Sequence, residues 1–197
     1  MIRDSALFAI PDTDLAVLRG RLATLADDAD LLDVAYRTVD SPIGGLLLAA
    51  TPHGLVRVAF ACEGYEAVLG SLATRISPRL LAAPQRLDAV ARELDEYFAG
   101  TRQTFDVALD HRLSSGFRDV VQRHLPQIGY GRTQTYREVA ERVGNPRAVR
   151  AVGSACATNP LPIVVPCHRV LRSDGSLGGY LGGLDAKRWL LDLERAA

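Results

Sequence analysis

The sequence predicts an α/β N-terminal domain, with helices packed on a small antiparallel sheet, followed by a mainly α C-terminal domain that contains a helix-turn-helix. Three observations carry this prediction. Short, partly alternating apolar runs separated by turn signals fill residues 34–60; the apolar period lengthens to that of helices beyond residue 110; and a capping box followed by Gly144-Asn145-Pro146 marks two short helices about a tight turn. The 197 residues are enough for a sizeable core. They divide into an N-terminal extension over 1–33, expected to be helical, the α/β domain over 34–110 and the C-terminal domain over 111–197.

Residues 12–26 read as an amphipathic helix, with Leu15, Leu18, Leu22 and Leu25 spaced by three or four and Asp12 or Thr13 as N-cap. The runs 34–39, 45–50 and 55–60, punctuated by Asp40-Ser41-Pro42 and Thr51-Pro52-His53-Gly54, form a three-stranded antiparallel meander. Tyr65–Arg75 is a short helix and 78–84 a loop. In the helix that follows, Leu87, Val90, Ala91, Leu94, Tyr97 and Phe98 make one apolar face, and Gly100 ends it. Residues 104–109 read as a further strand.

Beyond residue 110, Phe117, Val120, Val121 and Leu125 share a helical face, with Ser114 or Ser115 as N-cap and Pro126 after the helix end. Thr135-Tyr136-Arg137-Glu138 is a capping box that opens a helix through Val143. Pro146 is placed as the first residue of a second helix running to about Cys156. That helix carries Arg147 and Arg150 outward among Ala148, Ala151, Gly153, Ser154 and Ala155. Small side chains permit close approach to a groove, and arginine can contact phosphate or enter the base stack.

The formal charge is zero, but it is unevenly spread: residues 1–33 hold seven aspartates against three arginines, and residues 112–172 hold ten arginines against three acids. A basic later segment suits a polyanion. Cys62, Cys156 and Cys167 are an odd number without paired metal spacing, which argues against a disulfide framework and a structural zinc site and for reduced thiols in the cytoplasm. No signal peptide or membrane-length apolar run is read.

The chemistry centres on Pro166-Cys167-His168-Arg169-Val170, which the apolar run 161–165 would carry to the end of a buried, strand-like or extended segment. Two readings are open. Neighbouring positive charge favours a thiolate and hence a nucleophile, whereas a cysteine behind an apolar run is also a common core residue.

The residues around it resemble a known family. Gly131-Arg132-Thr133-Gln134-Thr135-Tyr136, Gly144-Asn145-Pro146-Arg147-Ala148-Val149-Arg150-Ala151-Val152-Gly153, the run from Asn159-Pro160-Leu161 to Cys167-His168-Arg169-Val170, Gly178-Gly179-Tyr180-Leu181-Gly182-Gly183, and Lys187 with Trp189-Leu190-Leu191 and Glu194 are similar to the O6-alkylguanine-DNA alkyltransferases. Asp40-Ser41-Pro42-Ile43-Gly44 resembles their N-terminal domain, so the resemblance covers about residues 34–195 and implies a ribonuclease-H-like first domain.

It further implies a self-inactivating transfer of the alkyl group from guanine O6, and from O4 of thymine, to Cys167 after the base is flipped from the duplex. His168, acting through a water and backed by Glu194, would take the thiol proton; Asn159 would fix the local backbone; Tyr136 would hydrogen-bond the departing guanine. Tyr180 and the backbone of Val170 and Leu181 would enclose the base, and Arg150 would fill its place in the stack. Arg147, Gly153, Thr135 and Lys187 complete the implied DNA- and substrate-binding set. From spacing alone, Glu194 reads instead as an exposed helix charge, Tyr136 as a solvent-facing first-turn residue and Arg150 as a phosphate contact.

Where family members carry an N-terminal zinc site, His53 and Cys62 alone cannot supply four ligands, so no metal and no cofactor is expected. The expected partner is double-stranded DNA carrying O6-alkylguanine, bound by a monomer without a membrane, with cooperative assembly on DNA open. Two other readings compete: an alkyltransferase-like lesion binder, against which the intact Cys167 argues, and a helix-turn-helix regulator with a merely buried or redox-sensing cysteine.

Overall fold

The computed structural model describes residues 12–196. Helix α1 (Asp12–Asp28) leads into strands β1 (Val34–Val39), β2 (Leu46–Thr51) and β3 (Gly54–Phe60), helix α2 (Tyr65–Arg75), strand β4 (Leu80–Ala82) and helix α3 (Asp88–Phe98). The sheet order is β3-β2-β1-β4. β1, β2 and β3 form the predicted antiparallel meander, but β4 joins β1 in parallel, pairing Val34 with Leu80 and Tyr36 with Ala82, so the sheet is mixed. β4 lies inside the segment predicted as a loop. Three residues between Pro78 and Pro84 are too few to display a period.

The strand expected over 104–109 is reduced to a single bridge: Leu55 N–H donates to Ala108 O at 2.8 Å and Asp110 N–H to Leu55 O at 2.8 Å. The segment meets β3 only at its start, at Gly54, where any Cβ would collide with the Ala108 carbonyl. Farther along, β3 is already engaged by the C-terminal part, because Val58 N–H donates to Pro160 O at 2.8 Å.

α1 also departs from expectation. Leu18, Leu22 and Leu25 are 51%, 53% and 67% exposed, and the side chain of Leu15 lies outside the described residues. Ala23 and Ala26 face the sheet instead, against Ala35, Leu81 and Ala83. Their small size lets the helix axis lie close to the sheet, which turns the leucines outward.

The C-terminal part consists of α4 (Phe117–His124), the two-residue strand β5 (Gln134–Thr135), α5 (Tyr136–Arg142), α6 (Val149–Ala157), β6 (Val170–Leu171) and α7 (Gly183–Ala196). α4 starts at Gly116 with no side-chain cap, since Ser114 Oγ is committed to the Gln122 amide. Val120, expected in its apolar face, is half exposed, and Gln122 is buried in its stead with Nε2 donating to Ala155 O at 2.9 Å. The capping box forms as read: Glu138 N–H donates to Thr135 Oγ1 (3.2 Å) and Thr135 N–H to Glu138 Oε2 (2.6 Å).

α6 begins at Val149 and not at Pro146. Asn145 to Ala148 close a turn through Ala148 N–H to Asn145 O (2.9 Å), which places Arg147 before the helix. One continuous core runs from Leu46 and Leu48 of the sheet through Leu94 and Tyr97 of α3 to Val152, Cys167 and Leu190, so the two parts share an apolar interface.

Candidate active site at the Cys167 turn

The run before Cys167 is not a strand. Val165 N–H donates to Leu161 O and Cys167 N–H to Val165 O, both at 2.8 Å, and Ile163 sits at φ 75°. A β-branched residue there is strained, at a cost of about 1–3 kcal/mol. The surroundings hold it in place: residues 159–171 are all buried. Asn159 fastens the inside of the turn, its Nδ2 donating to Val165 O (2.7 Å) and its Oδ1 accepting from Leu161 N–H (3.1 Å). A single 3-10 turn, Cys167–Arg169, then leads into β6, which pairs in parallel with β5 and sets Val170 opposite Gln134 and Leu171 opposite Thr135.

Cys167 is 3% exposed. Burial pushes its thiol upward, while the Asn159 amide and the Lys187 ammonium pull it back down. Lys187, itself buried, donates from Nζ to Val170 O at 2.7 Å, and its own pKa is lowered by that burial.

Glu194 is buried on α7, not exposed. Its Oε1 accepts from His168 Nε2 at 2.9 Å, Arg169 Nη2 at 2.9 Å and Tyr97 Oη at 2.6 Å. Its Oε2 accepts from Arg169 Nε at 3.0 Å and Gly131 N–H at 3.2 Å. Burial works against the charge, but the hydrogen bonds from His168 and Arg169 outweigh it and hold the carboxyl at about 2. An ionised carboxylate only accepts, so Nε2 of His168 carries the proton and Nδ1 is left as the acceptor. Nδ1 is buried and has no hydrogen-bond partner in the protein. Burial lowers the His168 pKa, opposed by Glu194.

Around the thiol, the Tyr136 hydroxyl lies where a Cβ on Gly178 would be, and burial raises its pKa. The Tyr180 ring stands edge-on to His168 at 6.4 Å and to Phe60 at 5.5 Å between centroids. Phe60 fills the space beside Gly182, 2.6 Å from where its Cβ would be. Leu181 O accepts from Cys62 Sγ at 3.5 Å. Arg147 and Arg150 are exposed, and Gly153 faces open space on α6. Thr135 is engaged as the cap of α5. Thus Cys167, His168, Glu194, Asn159, Lys187, Val170, Tyr136 and Tyr180 gather in one place, and the arginines stand apart on the helix-turn-helix surface.

Sequence reasoning missed Arg169, Tyr97 and Gly131 as partners of Glu194. A tyrosine on an otherwise apolar face was the available signal, because a buried hydroxyl needs a partner. Arg169 also lies 5.8 Å from the Tyr130 ring centroid. Among the described residues no helix is long and apolar enough to cross a membrane.

A buried thiol with a histidine-carboxylate pair behind it is the arrangement of an activated nucleophile, and it stands beside a helix-turn-helix, a motif that can enter a DNA groove. Residues 34–111 match the ribonuclease-like domain of 6-O-methylguanine DNA methyltransferase, and residues 116–196 match its DNA binding domain. A methylated-DNA–protein-cysteine methyltransferase of Mycolicibacterium paratuberculosis is 45% identical over 162 residues, covering 82% of this chain and 93% of that protein. The crystal structure of Mycobacterium tuberculosis O6-methylguanine methyltransferase superposes with a TM-score of 0.73 at 40% identity, covering 83% of this chain and 93% of the other. The same protein in complex with DNA gives 0.73 at 40% identity, covering 82% and 93%. The chain belongs to the 6-O-methylguanine DNA methyltransferase family.

Proposed function

We propose that the protein repairs DNA by moving the alkyl group of O6-alkylguanine, and of O4-alkylthymine, onto Cys167 in a single irreversible turnover. The buried His168–Glu194 hydrogen bond behind Cys167 is the observation that carries this reading. In the step, the Cys167 proton passes through a water to His168 Nδ1, and Glu194 stabilises the imidazolium. The thiolate then attacks the alkyl carbon in line: the S–C bond forms, the C–O bond breaks, and the guanine leaves as an anion that Tyr136 stabilises by hydrogen bonding; the anion takes a proton from water, and the hydroxide so formed is neutralised by the proton held on His168.

Asn159 and Lys187 favour the thiolate, and Tyr180 with the Val170 and Leu181 backbone encloses the flipped base. Arg147, Gly153 and Thr135 lie on the surface that faces DNA, and Arg150 replaces the flipped base in the stack. The working form is a monomer of two domains dividing near residue 110, preceded by an extension over 1–33. It acts in the cytoplasm, where an exposed Cys62 stays reduced.

The test is a titration with duplex carrying labelled O6-methylguanine or O4-methylthymine. The expected result is one methyl per protein molecule, located by mass on the peptide containing Cys167. Label left on the DNA, or more methyl groups removed than protein molecules present, overturns the reading.

Arg150→Ala separates flipping from chemistry. Unstacking a base costs a few kcal/mol, so repair in duplex should slow on the order of ten- to a hundredfold, while reaction with free O6-benzylguanine changes by less than about twofold. Equal losses on both substrates would place Arg150 in the pocket.

A further inference from the structure

We infer that Tyr97, contributed by α3 of the N-terminal part, is a positioning residue for the transfer step, fixing Glu194 toward His168 across the interface between the two parts. This rests on the alkyl transfer proposed above. Tyr97 is fully buried, with its ring edge-on to Tyr130 at 6.0 Å and Phe98 at 5.6 Å and tilted against Phe105 at 5.3 Å. Nothing apolar in that packing requires a hydroxyl. The hydroxyl donates to Glu194 Oε1 at 2.6 Å and lies 3.5 Å from His168 Nε2, so both residues converge on one carboxylate oxygen.

Burial and the neighbouring Glu194 charge push the Tyr97 pKa far up, so the hydroxyl stays a donor throughout. Of the groups that donate to Glu194, Arg169, Gly131 N–H and Tyr97 are fixed. His168 alone changes protonation during the reaction. The fixed donors hold the carboxylate oriented before the imidazolium forms, so no reorganisation is needed when charge appears. By sharing Oε1, Tyr97 also draws off part of the negative charge that faces His168. The charged and titratable groups facing His168 among the described residues are Glu194, Arg169, Lys187, Tyr97 and Tyr180, with Cys167 next to it in the chain. Removing only the Tyr97 hydroxyl leaves the other five in place.

The test is the single-turnover rate of Tyr97→Phe on methylated duplex and on free O6-benzylguanine as a function of pH. Loss of one charge-assisted hydrogen bond is expected to slow transfer about tenfold on both substrates. The DNA concentration giving half-maximal rate should stay unchanged. The acid limb of the profile should move to higher pH, because Glu194, no longer shared, holds the His168 proton more strongly. In a Glu194→Gln background, Tyr97→Phe should have no further effect.

Incorporating 3-fluorotyrosine at position 97 keeps ring and hydroxyl and strengthens the donor, so it should move the limb to lower pH; this arm stands even where Tyr97→Phe folds poorly. An unmoved pH profile in both variants makes Tyr97 a core residue and overturns the inference alone. A wild-type protein that transfers no methyl overturns the alkyl-transfer reading and this inference with it.

Discussion

Cys167→Ser is expected to abolish alkyl transfer, by at least about a thousandfold, while lesion-containing duplex binds within about threefold of the wild-type affinity. The substitution leaves the turn intact, since the bonds that build it come from Asn159 and from backbone groups of Leu161, Val165 and Cys167. It removes the proposed nucleophile. An alcohol is a far weaker acid than a thiol, and His168, whose basicity burial has already lowered, cannot ionise it. Transfer rates with labelled oligonucleotide, beside binding by fluorescence anisotropy, separate the two effects. Retained methyl transfer would exclude Cys167 as the acceptor. Cys62→Ser, at an exposed thiol, serves as the control that keeps full activity.

Glu194→Ala is expected to be the most destabilising single change at the site, costing about 3–5 kcal/mol. It strips the buried Arg169 guanidinium of its carboxylate partner and orphans the donors of Tyr97 and Gly131. For a chain of this length that lowers Tm by roughly 10 °C, and transfer should fall with it because His168 loses the group that stabilises its charged form. The pH dependence distinguishes this from a packing defect. Glu194 has its carboxyl held at about 2 in the fold, below its ordinary value of 4.5, so its contribution to stability is complete above the ordinary value and is lost as pH falls toward 2. His168 is buried with a lowered pKa and adds to the acid loss below its ordinary 6.5, since unfolding lets it take up a proton. The variant should therefore lose the Glu194 part of the slope and keep the His168 part. Parallel Tm-against-pH curves for variant and wild type would show that Glu194 is not ionised in the fold.

What could be read in the sequence was what repeats with a period or has a local chemical signature. The meander alternates, α3 and α5 carry helical spacing and caps, and Gly100 takes the left-handed conformation (φ 75°) just after α3, as a C-terminal glycine should. β4 is too short to alternate and depends on β1 for its pairing. The leucines of α1 follow a helical period yet face outward, because periodicity says which residues share a face and not what covers it. At the site, Glu194 lies 26 positions from His168 and joins it only through the packing of α7. Spacing alone could not bring the two together; only the family resemblance did. Tyr97 is harder still, since its site role depends on contact between the two parts of the chain. The left-handed Ile163 has no sequence signature, because residues that normally mark such a conformation are glycine and asparagine.

The outer edge of β3 has a consequence for solubility. An edge strand with free N–H and C=O groups is a template on which another chain can add a strand, the first step of aggregation. Here the edge is taken up by the chain itself: Ala108 and Asp110 bond Leu55, and Pro160 takes the Val58 N–H. Pro160 lies seven residues before Cys167, so the loop that builds the Cys167 turn is also the edge guard of the sheet. A fragment containing the sheet but ending near residue 110 leaves the Val58 N–H open to another strand. The same contact ties colloidal behaviour to the integrity of the Cys167 turn.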